Sequence, residues 1–170
     1  MPDPRYPIGK FETPALPLSE TERARLIEEI AELPSRLAAA VRGLDEARLD
    51  RPYRPGGWTI RQVVHHVPDS HMNAYIRFRL ALTEDTPPIK PYEEARWAEL
   101  SDAASGPVGV SLTLLEALHT RWVALLRSMR ASDWTRGYRH PELGAVSLDK
   151  ALALYAWHGR HHLAHITNAL

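Results

Sequence analysis

Through most of this chain apolar residues recur three or four positions apart, the period of an α-helix and not of a strand. Leu26, Ile30, Leu33, Leu37, Val41 and Leu44 form one such stripe. Ser19 and Glu22 stand just before it in the spacing of a capping box, which satisfies two free N–H groups at a helix start. Pro34 lies inside the stripe; lacking an N–H, it predicts a kink or a split there. Gly43 is a natural stop, and Asp50 to Gly57, rich in Pro and Gly, reads as a loop. Thr59 and Gln62 cap a second helix whose core face is Ile60, Val63, Val64, Val67, His71, Ala74, Tyr75, Phe78 and Leu82, with a kink expected at Pro68. The three prolines of Thr86 to Pro91 end it, and Glu93 to Leu100 has the pattern of a short helix. A third helix is expected from Ser111, with Leu112, Leu115, Leu118, Trp122, Leu125, Leu126 and Met129 on one face. Ser132 to Gly144 is a loop with room for a short hairpin, and Ser147 opens a fourth helix along Leu148, Leu152, Tyr155, His162 and Ile166.

Neither an internal repeat nor a run of strands is present, so the fold expected is all-α, a four-helix bundle spanning residues 18–170. Five prolines keep residues 1–17 extended. Tyr6, Ile8, Phe11 and Leu16 give that arm reason to pack on its own bundle or on a second subunit. The crossover between the second and third helices exceeds ~12 residues, and connections that long often line a site.

Composition removes several classes of function. The 170 residues suit one domain, and 21 basic residues balance 21 acidic ones, so no electrostatic footprint for nucleic acid is expected. No apolar run reaches the ~18 residues of a membrane span, and the proline-rich start has no apolar core of a signal peptide. A cytoplasmic location is the expectation. With no cysteine, disulfides, thiolate metal sites and a Cys nucleophile are all excluded. Any metal site must be built from His and carboxylates.

Histidine is crowded in two places: His65, His66 and His71 on the second helix, and His158, His161, His162 and His165 on the fourth. Residues i and i+4 on a helix have Cβ atoms ~5–6 Å apart, so such a pair can grip one ion. Two pairs are available, His158 with His162 and His161 with His165; the first lies nearer the centre of the apolar stripe, the second at its edge. A third His from the second helix completes a three-His set. Three protein ligands plus water is the open arrangement of catalytic zinc, and nickel also accepts imidazole. His119 and His140 read as ordinary hydrogen-bonded residues. Asp69 is a candidate base beside the ordinary solvated carboxylate, and Tyr75, Tyr155 and Trp157 are first of all core aromatics. Arg61 and Arg160 suit solvated helix faces better than an anion site.

Two stretches resemble a known family. Trp58-Thr59-Ile60-Arg61-Gln62-Val63-Val64-His65-His66-Val67 is similar to the DinB/YfiT-like motif, in which a His stands eight positions after a Trp; here that is His66. Tyr155-Ala156-Trp157-His158-Gly159-Arg160-His161-His162-Leu163-Ala164-His165-Ile166 resembles the family's C-terminal motif, and matching its last His selects His161 and His165. Pro68-Asp69-Ser70-His71-Met72-Asn73 and Tyr6-Pro7-Ile8-Gly9-Lys10-Phe11 look like the YfiT-type branch, although Pro68 replaces an expected Ala. The resemblance covers nearly the whole chain. It implies an up-down-down-up bundle, a homodimer, and one divalent ion, zinc or nickel, on His66, His161 and His165. His162 and Asp69 are then candidates for a supporting or general-base role, as are His158 and Tyr75.

The resemblance also implies a metal-dependent hydrolase that activates a bound water and acts on a small-molecule substrate. The alternatives are an S-transferase for a low-molecular-weight thiol such as bacillithiol or mycothiol, and a non-catalytic metal-stabilised binding module.

Overall fold

The computed structural model describes residues 3–170, so Met1 and Pro2 of the arm lie outside it. The helices are α1 (Glu20–Val41), α2 (Glu46–Leu49), α3 (Ile60–Thr83), α4 (Glu94–Trp97), α5 (Ser101–Ser105), α6 (Val108–Ser128) and α7 (Leu148–Ala169). A 3₁₀ turn at Ala131–Thr135 leads into the hairpin β1 (Gly137–His140) and β2 (Gly144–Ser147), paired antiparallel with Tyr138 opposite Val146. Both expected capping boxes form, Ser19 with Glu22 and Thr59 with Gln62, and Ser147 accepts from the Lys150 N–H.

Three expectations change. Pro34 splits nothing: α1 runs unbroken through it, as α3 runs through Pro68. A single missing N–H removes one rung, and both prolines are held by burial on the core face. The third long helix starts at Val108, not Ser111, with Pro107 supplying a fixed φ at its entry. Ser111 is not a cap; its hydroxyl pairs with His65 Nδ1 at 2.7 Å. Asp45 also caps a short helix that the loop-rich sequence hid.

Pairwise contacts give the directions of the long helices. Arg23 meets Asp149 and Leu33 meets Gly159, so α1 and α7 run parallel. His65 meets Ser111 and His71 meets His119, so α3 and α6 also run parallel. Ile30 meets His119 while Glu28 meets Arg127, which sets α1 against α6. His66 meets His158 while Arg77 meets Tyr155, which sets α3 against α7. The bundle is therefore up-down-down-up.

Its core is divided. One apolar cluster includes Ile30, Ala74, Phe78, Trp122, Leu152 and Tyr155. The other includes Leu37, Val63, Val64, Val67, Leu115 and Ile166. On α3, α6 and α7 the boundary between them is occupied by histidine: His71, His119, and the run from His158 to His165. A polar layer thus crosses the middle of the bundle.

The arm lies on its own bundle. Phe11 packs near Trp157 with ring centroids 5.9 Å apart, and the Leu18 N–H donates to Asp149 at 3.1 Å. Asp149 also accepts from Arg23 Nε and Nη2 at 2.7 and 2.8 Å, in a pair almost closed to solvent. Removing one member of a buried pair leaves the other charge unpaired, which costs about 3–5 kcal/mol. Asp149→Ala is expected to lower the unfolding free energy by that amount, read as a lower urea midpoint with an unchanged m-value, while a surface pair such as Arg127–Glu28 costs about 1 kcal/mol or less.

Candidate metal centre

Four histidines of α7 face one way. At ~100° per residue, His158, His161, His162 and His165 fall within an arc of about 100°, so a single helix face carries all four. Gly159, to one side of this face, lets α1 come close: a Cβ there would stand 2.6 Å from Leu33 Cδ2. Across from this face, the first turns of α3 bring in His66. The loop before α3 makes a wall. Its Tyr53 N–H donates to the Trp58 carbonyl, Gly56 takes a positive φ, and a side chain at Gly57 would strike Arg54 and Tyr53. Tyr53 then lies over His165 at 4.0 Å between centroids, and Trp58 over His66 at 4.8 Å.

These residues enclose a cavity of about 420 Å³ lined by His66, His158, His161, His162 and His165, with Arg5, Arg54 and Glu94 also in its wall. His66, His161 and His165 share this cavity, but they are not one of the trios whose nitrogens converge. Two sets of three rings bring their nitrogens within 4.8 Å of one another: His66, His158 and His162; and His161, His162 and His165. His162 belongs to both.

Burial sets the protonation of these rings. It pushes His66 and His161 down to about 4, with the neighbouring imidazoles adding repulsion. His158 and His162 are pushed well below the ordinary histidine value for the same reasons. Burial also lowers His165, against a hydrogen bond that raises it. Neutral imidazole is the form that binds metal, and His161 Nδ1 is buried with no hydrogen-bond partner. A set of neutral nitrogens around one space, one of them orphaned, fits a divalent ion. His165 has the support such ligands have: its Nε2–H donates to the Arg5 carbonyl at 3.3 Å.

The other candidates fall elsewhere. Asp69 does not line the cavity; burial and nearby Asp102 push its carboxyl up to about 6. Arg61 is buried on Asp50, Glu46 and the Gly106 carbonyl, and Arg160 pairs with Glu29, so both cations are engaged in structural contacts. Tyr155 accepts from Arg77 in the core, and Tyr75 takes the Arg79 guanidinium on its hydroxyl. Trp157 stacks on His161 at 4.5 Å between centroids. The spacing argument missed Tyr53 and the Arg5 carbonyl; a main-chain acceptor leaves no mark on side-chain patterns.

The DinB superfamily model matches residues 21–166. The chain belongs to the DinB superfamily. Within that superfamily it is YfiT-like. A Bacillus cereus (strain 03BB102) protein named "Putative metal-dependent hydrolase" is 57% identical over 168 residues, which covers 99% of this chain and 96% of that one. YfiT from Bacillus subtilis, described as a probable metal-dependent hydrolase with an unusual four-helix bundle topology, superposes with a TM-score of 0.94 at 48% identity. That match covers 96% of this chain and 94% of YfiT. The four-helix bundle protein TT2238 shares the fold alone, with a TM-score of 0.57 at 22% identity over 83% of this chain and 94% of that one. Among the described residues, no helix of this DinB protein is long and apolar enough to cross a membrane.

Proposed function

We propose that this chain is a metal-dependent hydrolase of small molecules, with one zinc or nickel ion held by His66, His161 and His165. The observation that carries the reading is the five-histidine cavity, whose rings burial keeps neutral and in which His161 Nδ1 has no partner. A bound divalent ion supplies Lewis acidity and lowers the pKa of a water to near neutrality. Three ligands leave a position open for that chemistry.

The chain's own groups do the rest. Trp58, Tyr53 and Trp157 wall the cavity and limit bulk water. His158 Nε2, 3.3 Å from His66 Nε2 and 3.4 Å from Ser70 Oγ, is placed to take the proton of the attacking water. His162, which also lines the cavity, is the other candidate for that role, whereas Asp69 lies outside it. A second ligand set, His66 with His158 and His162, is favoured by the mutual approach of its nitrogens. It exchanges the roles of the two α7 pairs.

The test is turnover of an ester and amide panel by metal-loaded protein without added thiol. Activity on monobromobimane that appears only with a low-molecular-weight thiol would replace hydrolysis by S-transfer. Tight metal binding with no turnover in either assay would leave a binding module. The homodimer and the cytoplasmic location rest on family resemblance and on sequence; sedimentation of the purified chain tests the first.

The Arg5 carbonyl gives the arm a part in this reading. Deleting residues 1–10 removes the acceptor of His165 Nε2–H but keeps the Leu18 anchor. Loss of such a supporting bond is expected to weaken metal binding ~10–100-fold in a competition titration. Unchanged affinity would show that His165 is oriented without the arm.

A further inference from the structure

Besides its histidines, the cavity wall carries three charged side chains: Arg5, Arg54 and Glu94. None takes part in the proposed hydrolysis. Arg5 is already answered, since its Nε and Nη2 donate to the Asp3 carboxylate at 3.1 and 2.8 Å. Arg54 and Glu94 are not. The Arg54 guanidinium donates to the Tyr53 hydroxyl and the Pro55 carbonyl, both neutral acceptors. Among the described residues, neither Arg54 nor Glu94 forms an ion pair. Burial pushes the Glu94 carboxyl up, and Glu142 adds repulsion, as expected of a carboxylate that no cation answers.

Packing puts the two charges at opposite ends of the cavity. The Arg54 guanidinium stands 5.4 Å from the centroid of Tyr53, the ring that lies over His165, so the cation marks the His165 end. The crossover between α3 and α6 sets the other end. Arg77 on α3 donates to the Lys90 carbonyl as well as to the Tyr155 hydroxyl, and Gln62 donates to the Ala98 carbonyl at 2.8 Å. The crossover therefore runs back along α3 from Arg77 to Gln62. Glu94 lies midway between these anchors, level with Ser70, whose Oγ is 3.4 Å from His158 Nε2. The carboxylate thus marks the His158 end. From His158 to His165 the helix rises ~10 Å.

We propose that Arg54 and Glu94 select the substrate: a small zwitterion whose carboxylate is held by Arg54, whose protonated amine is held by Glu94, and whose scissile amide or ester lies between them, over the histidines. The inference rests on the cavity being the reaction site, and it names the substrate class that reading leaves open. Short peptides and amides of amino acids have this form. An extended peptide carries opposite charges at its two ends, and three residues of it span ~10 Å. A planar guanidinium suits a carboxylate, with two parallel N–H donors for its two oxygens. A ligand with one charge leaves the residue at the other end desolvated without a partner, which is unfavourable. Two negative ends bring one against Glu94, and two positive ends bring one against Arg54.

The test is binding, followed by titration calorimetry on the protein as purified. 6-Aminohexanoate carries a carboxylate and an ammonium at its two ends and has no amide or ester to cut. Hexanoate and hexylamine keep one charge each on the same chain. 6-Aminohexanoate is expected to bind ~10-fold or more tightly than either, the worth of one added charged hydrogen bond. Arg54→Gln is expected to lower it to the affinity of hexylamine while leaving hexylamine unchanged. Glu94→Gln is expected to lower it to the affinity of hexanoate while leaving hexanoate unchanged. Arg54 is half-buried and Glu94 exposed, so both variants keep the core. A zwitterion that binds no more tightly than the singly charged probes, or not at all at millimolar concentrations, overturns the proposal. So does a variant that weakens all three probes alike. None of these readings needs turnover: a silent ester and amide panel beside the expected charge pattern would sink hydrolysis and keep the selection, and an active panel without that pattern would do the reverse.

Discussion

Tag-free protein purified without added metal is expected to carry close to one zinc or nickel ion per chain, and His161→Ala or His165→Ala to lose it. Loss of a supporting residue alone costs ~10–100-fold in affinity, so loss of a ligand is expected to exceed that. His158→Ala should keep the ion, since the reading gives that ring a proton and not a coordination bond. His66→Ala cannot discriminate, because His66 belongs to both candidate ligand sets. Elemental analysis of the α7 variants decides: a metal-free His158→Ala beside a loaded His165→Ala would move the ion to His66, His158 and His162. Stability offers a second readout. Ligand at a hundred times Kd adds about 2.7 kcal/mol, and each kcal/mol moves Tm by about 2–4 °C in a domain of this size. Wild-type protein should gain about 5–11 °C on metal addition, and His165→Ala should gain almost nothing.

The two α7 pairs show where sequence stops being informative. Period and caps are local, so Ser19, Thr59 and Ser147 marked three long helices correctly. The same local reasoning put one α7 pair near the centre of the apolar stripe and the other at its edge, and the face they share is wide enough to serve both ligand sets. Which nitrogens converge depends on how α3 and α7 cross, and spacing within a helix carries no such information. His119 makes the point more sharply. It reads as a hydrogen-bonded core residue, and it is one. Its link through His71 to His158 exists only because α6 lies between α1 and α3, and because Pro34 frees a carbonyl opposite. Pro34 in turn was legible as a helix defect but not as the residue that frees the Ile30 carbonyl for His119. Ser111 failed in the opposite sense: a good cap residue by type, it is used by His65 across the bundle. Residues whose work is within one element could be read; those whose work joins elements could not.

Acid should unfold the metal-free protein far more readily than an ordinary bundle. His66 and His119 are both buried, and their pKa values fall from 6.5 to about 4. In the unfolded chain both titrate near 6.5, so below that pH the unfolded state binds protons that the folded state refuses. Their contribution is complete above about pH 6.5 and is lost as pH falls toward 4. Shifts of that size are worth on the order of 3 kcal/mol for each ring. Total stability is typically about 5–15 kcal/mol, and His71, His158 and His162 are shifted in the same direction. The urea midpoint is therefore expected to fall steeply between pH 6.5 and 5, with a constant m-value. A stability flat over that interval would mean that these rings are not buried neutral. His119→Gln should lower the slope by about 1.4 kcal/mol per pH unit, since one fewer proton is taken up on unfolding. Added zinc should carry the whole transition to lower pH, because the ion competes with protons for the same nitrogens. A polar layer of neutral rings through the centre of the bundle thus makes a metal-ready site and an acid-labile core from the same residues.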